Sequence, residues 1–333
     1  MSTIKLRIGG QRYDHTRALF DGDIGVEGAE CSFESGAIVS DVFDKMLKQK
    51  AYDIAEFGFS FFVRLFEQGN SPIIALPVFP ARKFRHASVF INKASGIRGP
   101  QDLAGKTIGE LGAFGHDAGV WAKGALADDY GVTPDQCRWV IGGPNHPMKP
   151  FDFIPQIHPE NVDIRPAPEG RTLSDMLEAG EIDALISAHV PQCYVRGSPK
   201  VDRLFPDYDI VESQYYKRTR IFPIMHLLAV RKEVLDAHPA LTQAIYNAYL
   251  RSKDSAIGQY RSGRVDQQNV SMVPWFGKLF EENSKIFPDD WWPYGIGANR
   301  KVIDTFLRHH YEQGLSKRLI CFDEIFHPDL LDT

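Results

Sequence analysis

The sequence contains no long apolar run. None of its segments approaches the ~20 consecutive apolar residues that a membrane-spanning helix needs. The first residues alternate between apolar and polar from Ile4 to Ile8, as a strand does, and they lack the uninterrupted apolar core of a signal peptide. We therefore expect a protein that has no membrane partner and that works in the cytoplasm.

An excess of positive charge is also missing. The chain carries 38 Lys and Arg against 43 Asp and Glu, a formal net charge of −5, and no run of basic residues. Proteins that bind the phosphates of nucleic acids usually have a basic patch or a high isoelectric point. The balance of charge therefore argues against a nucleic-acid partner.

Motifs that hold metals and nucleotides are absent as well. The four cysteines are widely spaced, with no Cys-x-x-Cys pair, and scattered cysteines of this kind are usually buried small hydrophobic residues. There is no His-Glu-x-x-His motif, no phosphate-binding loop and no Gly-x-Gly-x-x-Gly. A divalent metal held by several histidines and acidic residues stays open as an alternative.

The composition that is present is typical of a globular protein, with 43% hydrophobic and 24% charged residues. A length of 333 residues favours two domains, because single cores stop growing beyond about 250–300 residues. Strand-like and helix-like segments alternate along the first half of the chain. This alternation predicts an α/β fold.

The order of these segments predicts two lobes, with the second inserted into the first. The first lobe would comprise residues 1–90 and 226–333 and would end in helices, and the second would comprise residues 91–225. Hinge strands near 87–93 and 224–231 would connect the lobes. Ligands of such proteins bind in the cleft between lobes, at loops beyond strand ends and at helix N-termini.

Two stretches of the second lobe are familiar from a known fold. They are Asp102-Leu-Ala-Gly-Lys-Thr-Ile108 and Leu177-Glu-Ala-Gly-Glu-Ile-Asp-Ala-Leu185. Both resemble segments of the type II periplasmic-binding-protein fold. Such segments occur across many solute receptors, so they indicate the fold and not the function.

Five further stretches are more specific. They are Tyr13-Asp-His-Thr-Arg-Ala-Leu-Phe-Asp-Gly22, Phe79-Pro-Ala-Arg-Lys-Phe-Arg-His86, Thr219-Arg-Ile-Phe-Pro-Ile-Met-His226, Trp292-Pro-Tyr-Gly295 and Gln313-Gly-Leu-Ser316. Together they resemble the 4,5-dihydroxyphthalate decarboxylase family over essentially the whole chain. The resemblance implies a cytoplasmic enzyme that converts 4,5-dihydroxyphthalate to protocatechuate and carbon dioxide without an organic cofactor.

Decarboxylation of an aromatic acid sets clear requirements. Direct loss of carbon dioxide would leave an unstable anion in the ring plane, so the ring carbon that bears the carboxylate is protonated first. A hydroxyl para to that carbon supplies electrons as it loses its proton. The enzyme then needs cationic anchors for carboxylate, a base near a phenol oxygen and an acid near the ring carbon.

The predicted hinge carries the leading candidates. Arg82 and Arg85 follow a strand end, and arginine suits carboxylates because it donates two parallel hydrogen bonds. His86 adjoins them, and His226 begins the second hinge strand. Because histidine exchanges protons near neutral pH, we predict that His86 and His226 are the acid and base.

The loop after the first strand supplies a second group. Asp14 is predicted to accept a phenol proton or to orient a histidine, and a turn or capping role for it is equally consistent with the pattern. Arg12 and Arg17 are predicted to anchor a carboxylate of the substrate.

A Gly-rich turn, residues 112–119, precedes a predicted helix over residues 117–130. The free backbone N–H groups at such a helix start favour an anion, so Gly115 and His116 are predicted to contact the substrate. Two further predicted contacts lie at the lobe edge and before the second hinge. They are His189 and Thr219.

Two other functions fit the same pattern. A solute-binding protein for an aromatic acid would use the same cleft but would need an export signal. Another enzyme of the same fold, such as one that acts on chorismate-derived acids in menaquinone synthesis, is the third possibility. Assembly into a homo-oligomer is left open.

Overall fold

The computed structural model describes residues 3–266, 269–287 and 290–333. The strands are β1 Ile4–Gly9, β2 Ala29–Glu34, β3 Ile54–Gly58, β4 Ile73–Arg82, β5 Val89–Asn92, β6 Thr107–Leu111, β7 Arg138–Gly142, β8 Asp163–Pro166, β9 Ala184–Ile186, β10 Val201–Arg203 and β11 Ile224–Arg231. The helices are α1 Arg17–Phe20, α2 Val39–Asp44, α3 Phe59–Glu67, α4 Asp117–Tyr130, α5 Leu173–Ala179, α6 Gln192–Val195, α7 Tyr208–Thr219, α8 Lys232–Ala237, α9 Leu241–Val265, α10 Phe276–Ile286, α11 Arg300–Glu312 and α12 Phe322–Ile325.

The first sheet has the strand order β2-β1-β3-β11-β4. Strands β1, β2 and β3 run parallel, whereas β11 is antiparallel to both of its neighbours. Every residue of β3 is buried, because this strand lies inside the sheet with both faces covered. One of those buried residues, Glu56, is charged, which requires nearby hydrogen-bond donors.

The second sheet has the order β10-β5-β9-β6-β7-β8. Strands β9, β6, β7 and the edge strand β8 are parallel, whereas β5 is antiparallel to both of its neighbours, β9 and β10. The chain crosses between the sheets after β4 and returns before β11. The two mixed sheets confirm the predicted α/β, two-lobed architecture.

The predicted lobe boundaries, 1–90 with 226–333 against 91–225, remain a prediction. β5 belongs to the second sheet, and β11 belongs wholly to the first. Helix α4 has the predicted bounds. After β11, helix α9 packs on β4 and α1 of the first lobe, whereas α11 packs on α4 of the second lobe. The C-terminal helices therefore contact both lobes.

A buried polar seam joins the lobes where α3 of the first lobe meets the Gly-rich turn of the second. The fully buried guanidinium of Arg64 donates to the carbonyl oxygens of Phe114 (2.5 Å), Gly115 (3.1 Å) and Pro155 (3.1 Å). The Ser60 hydroxyl donates to the same Gly115 oxygen at 2.6 Å. These bonds hold together two segments that are about 50 to 90 residues apart in sequence.

An aromatic cluster extends this junction. Phe43 and Phe61 of the first lobe pack edge-on against Phe153 of the second, and Phe61 also meets Phe151. Such edge-to-face pairs add about 0.5–1.5 kcal/mol each beyond their burial. The apolar cluster and the polar seam together close one side of the cleft.

Two expectations can be compared with the structure: that the cysteines are buried, and that the chain has no membrane-spanning helix. Cys137 and Cys193 are buried as expected, but Cys31 is only partly buried and Cys321 is exposed, so the expectation is wrong for Cys321. Cys321 precedes the short helix α12 at the surface. No helix within the described residues is both long enough and apolar enough to cross a bilayer.

We predict that Arg64→Met lowers the free energy of unfolding by about 3 kcal/mol, because carbonyl groups in the seam would lose charged hydrogen bonds. Urea unfolding of both proteins measures the difference. The control Arg196→Met removes an exposed arginine paired with Glu178 and should change stability by less than about 1 kcal/mol. Equal stability of Arg64→Met and wild type would contradict the proposed importance of the seam.

Candidate active site

A cleft of about 520 Å³ lies beside β4, β11 and α9 of the first lobe, and Ala188 is the lining residue that the second lobe contributes. Its volume falls in the range of small-molecule sites, about 300–1,000 Å³. Its lining combines charged groups with aromatic walls. The lining residues are Tyr13, Asp14, His15, Pro80, Ala81, Arg82, Lys83, Arg85, Ala188, Met225, His226, Lys253, Ala256, Ile257, Tyr260, Phe276, Trp291 and Trp292.

A carboxylate–imidazole pair lies at the cleft wall. The adjacent strands β3 and β11 carry Glu56 and His226, and the His226 Nδ1 donates to Glu56 Oε1 at 2.6 Å. This bond leaves Nε2 as the free ring nitrogen of His226. The predicted acid–base histidine is therefore held in one orientation by a buried carboxylate.

Glu56 is stabilised as a carboxylate by two further donors. The Tyr13 hydroxyl donates to Oε1 at 2.8 Å, and the Gln11 backbone N–H donates to Oε2 at 3.0 Å. Burial, followed by the charge of Glu56, raises the pKa of Tyr13 far above its usual value, so the phenol remains a donor. Hence Glu56 presents a fixed negative charge to His226.

Asp117 approaches the other side of His226 from the second lobe. Its Oδ2 lies 3.9 Å from His226 Nε2, and its Oδ1 accepts the Ser60 backbone N–H at 2.6 Å. Burial raises the pKa of Asp117 above its ordinary value. The distance of 3.9 Å is too long for a hydrogen bond, but it is short enough for strong electrostatic coupling.

One part of the cleft lining is cationic. Arg85 is buried, its Nε donates to Met225 Sδ at 3.1 Å, and its Nη1 has no hydrogen-bond partner among the described residues. Burial lowers the pKa of Arg85 to about 10, which leaves the guanidinium charged at neutral pH. Lys83 lies at the rim, where desolvation and the charge of Arg85 lower its pKa.

Arg82 also lines the cleft, but its guanidinium is occupied by structural contacts. It donates to the carbonyl oxygens of Phe222 (3.1 Å) and Pro293 (2.6 Å) and to the side chain of Asn299. These bonds tie β4 to the C-terminal segment. Each of the two predicted hinge arginines keeps one donor without a partner among the described residues, Arg82 Nε and Arg85 Nη1, but Arg82 is held by three hydrogen bonds and Arg85 by one.

A second part of the lining consists of hydroxyl and carboxylate groups. Asp14 Oδ1 pairs with His15 Nδ1 at 2.9 Å, and its Oδ2 accepts the Tyr260 hydroxyl. The hydrogen bond from His15, helped by that from Tyr260, holds the pKa of Asp14 well below its usual range. Asp14 is thus a permanent acceptor, suited to a hydrogen bond from a phenol.

Three further residues were predicted to contact the substrate, namely Gly115, His116 and His189. Gly115 and His116 are in the lobe junction, where the Gly115 N–H and His116 Nδ1 contact Glu110 Oε1 at 2.9 and 3.1 Å. His189 is exposed beyond β9, and desolvation followed by the charges of His116 and Arg85 lowers its pKa. None of these three is among the residues that line the cleft.

Three predicted anchors do not line the cleft. Arg12 is exposed and forms an ion pair with Asp21, with a shortest distance of 2.6 Å. Arg17 is exposed on α1. Thr219 ends α7, where its hydroxyl donates to the Tyr215 carbonyl at 2.7 Å.

His86 is also separated from the cleft. It lies in a short turn beside the rings of Phe205 and Tyr215, and neither of its ring nitrogens has a hydrogen-bond partner among the described residues. Burial lowers the pKa of His86 to about 4. This geometry favours a neutral packing residue over an acid or base that touches the substrate.

Sequence reasoning missed several groups of the site. Glu56 had a recognisable signal, since a charge in the middle of an apolar strand must be compensated. Tyr260 and Lys253 lie on α9, and no local pattern distinguishes them from other polar residues of that helix. Across the described residues, no group of three or more His, Cys, Asp or Glu side chains is placed to hold a metal ion.

Solved structures share this architecture. The periplasmic aliphatic sulphonate binding protein SsuA of Escherichia coli matches with a TM-score of 0.50 and 12% identity, covering 98% of this chain and 92% of its own. The alkanesulfonate-binding protein SsuA of Xanthomonas axonopodis pv. citri matches with a TM-score of 0.52 and 10% identity over 98% and 99% of the two chains. At such identities the likeness defines the class, a two-lobed protein of the periplasmic-binding-protein fold.

Sequence comparison defines the family. The 4,5-dihydroxyphthalate decarboxylase of Comamonas testosteroni is 36% identical over 333 residues, which cover 100% of this chain and 99% of that protein. The enzyme of the same name from Pseudomonas putida is 34% identical over 217 residues, 65% of this chain and 83% of its own. No protein-family model matches the chain. The chain belongs to the 4,5-dihydroxyphthalate decarboxylase family and is a carboxy-lyase.

We predict that His86→Leu reduces the acid sensitivity of the fold. A buried histidine with a lowered pKa stabilises the protein fully above pH 6.5, and this stability is lost as the pH falls towards about 4. Between pH 7 and pH 4 the loss attributable to His86 should be of the order of 1–3 kcal/mol. Thermal unfolding at a series of pH values measures it.

The matched control is His146→Leu, which changes an exposed loop histidine and should keep the acid profile of wild type. Catalytic turnover near that of wild type in His86→Leu would agree with a packing role. A turnover loss of 100-fold with an unchanged acid profile would instead support the acid–base role predicted from the sequence.

Proposed function

We propose that this protein decarboxylates 4,5-dihydroxyphthalate to protocatechuate and carbon dioxide without a cofactor. One observation carries the proposal: His226, oriented by Glu56, lines the same cleft as Arg85, whose buried guanidinium has an unoccupied donor. A proton donor and a carboxylate anchor are the two groups that ring protonation requires. Similarity to the named relatives supports the choice of substrate.

The charges of the cleft orient such a substrate. The two carboxylates would face Arg85 and Lys83, because these two cations line the cleft. The two hydroxyls would face Asp14 and Tyr260. In this orientation a carboxylate and the hydroxyl para to it face different groups of the lining.

The reaction then proceeds by protonation of the ring. His226 gives its Nε2 proton to the ring carbon that bears the departing carboxylate, while the para hydroxyl, hydrogen-bonded to Asp14, gives its proton to water at the cleft mouth. The carbon–carbon bond breaks, its electron pair restores the aromatic ring as a phenolate, and neutral carbon dioxide leaves. Protons taken up from water then convert the phenolate to the hydroxyl of the product and return His226 to its protonated form. The Glu56 carboxylate stabilises the imidazolium from which the proton comes.

A solute-binding function is the alternative. It would require lobes that open to admit the solute, whereas here Arg64 and the aromatic cluster around Phe61 tie them together on one side of the cleft. This junction favours a preformed site, which suits catalysis. Binding of the acid without turnover would support the solute-binding function instead.

The central experiment incubates the purified protein, treated with a metal chelator, with 4,5-dihydroxyphthalate. We expect protocatechuate and carbon dioxide in equal amounts. In deuterated water the product should carry one deuterium at the ring carbon that lost the carboxylate, since the proton comes from an exchangeable group. Mass spectrometry and NMR detect it. Absence of turnover, or turnover only with added metal, would refute the cofactor-independent proposal.

His226→Gln tests the proton donor. Glutamine keeps the size and polarity of the side chain but cannot deliver a proton, so kcat should fall by about 10²–10⁴-fold with a smaller change in KM. Steady-state kinetics measure both constants. Full turnover by His226→Gln would show that another group protonates the ring.

Arg85→Ala tests the carboxylate anchor. Loss of a charged hydrogen bond of about 1.5–3 kcal/mol should weaken substrate binding by about 10–100-fold. Calorimetric titration with a substrate analogue or with product measures it. The control Arg171→Ala removes an exposed arginine paired with Glu181 and should bind like wild type. Equal affinity of Arg85→Ala and wild type would remove Arg85 from the site.

A further inference from the structure

We propose that Asp117 is a positioning residue that shares with His226 the proton that is later transferred to the substrate ring. The inference rests on the proposed function, because it assigns a source for the proton that protonates the ring. The inference adds Asp117, a residue of the second lobe, to the Glu56–His226 pair of the first lobe. Asp117 acts through His226, since His226 and not Asp117 lines the cleft.

Geometry places His226 between two carboxylates. Glu56 Oε1 holds Nδ1 at 2.6 Å, and Asp117 Oδ2 lies 3.9 Å from Nε2. Glu56 accepts hydrogen bonds from three groups, whereas Asp117 accepts only one, from the Ser60 N–H, among the described residues. Of the two acids, Asp117 therefore has fewer hydrogen-bond donors on its carboxylate.

The residue opposite His226 makes this approach possible. Gly58 pairs with His226 across β3 and β11, and a Cβ atom at Gly58 would lie 2.7 Å from Asp117 Oδ2. Its backbone is in the ordinary extended region, so the turn itself does not require glycine. The space that Gly58 leaves is occupied by the carboxylate of the other lobe.

Other charges also act on the pair. Around Asp117 lie the cations Arg85 from the hinge and Arg64 from α3, and His116 precedes it at the start of α4. Burial raises the pKa of Asp117, and the charges of His226, His116 and Arg85 partly oppose that rise. On the other side, His226 faces Glu56 with its Tyr13 donor.

The two acidic sites are the imidazolium of His226 and the carboxyl of Asp117, which lie 3.9 Å apart. Sites this close titrate as a coupled pair. At neutral pH the pair can retain one proton, held either on Nε2 beside an ionised Asp117 or on the Asp117 carboxyl beside a neutral imidazole. The negative charge of Asp117 opposes loss of that proton as the pH rises. Asp117→Asn removes the charge but keeps the side-chain size and an oxygen that can accept the Ser60 N–H.

The test compares wild type and Asp117→Asn in two measurements. In the rate profile, the pH at which kcat declines on the basic side should fall by about 1 unit in the variant, with KM little changed. In the free protein, NMR of labelled histidine should find that His226 loses its proton at a pH lower by a similar amount. His226→Gln identifies the His226 signal.

The matched control is Asp175→Asn, an exposed aspartate in the first turn of α5, which should match wild type in both measurements. Gly58→Ala, which would displace the Asp117 carboxylate, should shift the His226 titration in the same direction as Asp117→Asn. A uniform loss of kcat at every pH with an unchanged titration would overturn the proposal and leave Asp117 a structural role. If wild type lacks turnover, decarboxylation is refuted, and the NMR titration alone decides whether the proton is shared.

Discussion

The buried seam between α3 and the Gly-rich turn is the constraint on which the rest of the structure depends. Arg64 has no carboxylate partner in the part of the chain described by the structure, and it is satisfied by carbonyl oxygens of the opposite lobe. A buried guanidinium loses its hydration, so these carbonyls must stay in place to replace it. The same junction brings the start of α4 against α3, and therefore Asp117 against Ser60 and His226.

Because the junction fixes the lobes, the cleft has a definite electrostatic arrangement. Arg85 and Lys83 contribute positive charge to its lining, and Asp14 and Tyr260 contribute a carboxylate and a hydroxyl that are bonded to each other. The Glu56–His226 pair belongs to the first lobe. A flat aromatic ring with carboxylates at one side and hydroxyls at the other matches that polarity. The likeness between a sulphonate-binding protein and this chain of a decarboxylase family thus concerns the fold.

Local patterns predicted much of the architecture. The helix over residues 117–130 was predictable from its Gly-rich start and apolar spacing, and β1 from strict alternation. Strand β2 was not predicted, although Ala-Glu-Cys-Ser-Phe-Glu alternates between apolar and polar residues and its burial alternates in the same way at the sheet edge. His226, Arg85 and Asp14 were predicted for the cleft and line it. Arg12 was assigned on proximity in sequence, yet a local ion pair with Asp21 holds it at the surface.

The chain alone therefore determined the α/β class, the family resemblance and the residue types of an anion site, since periodicity, turns and motifs are local properties. Only the tertiary structure decided which residues act together. Glu56 and His226 are 170 positions apart and meet because β3 and β11 are neighbours in one sheet. His86 and Arg85 are adjacent in sequence and line one small cavity together, but only Arg85 also lines the cleft. Such pairings depend on strand order and lobe contact, which no short stretch of sequence contains.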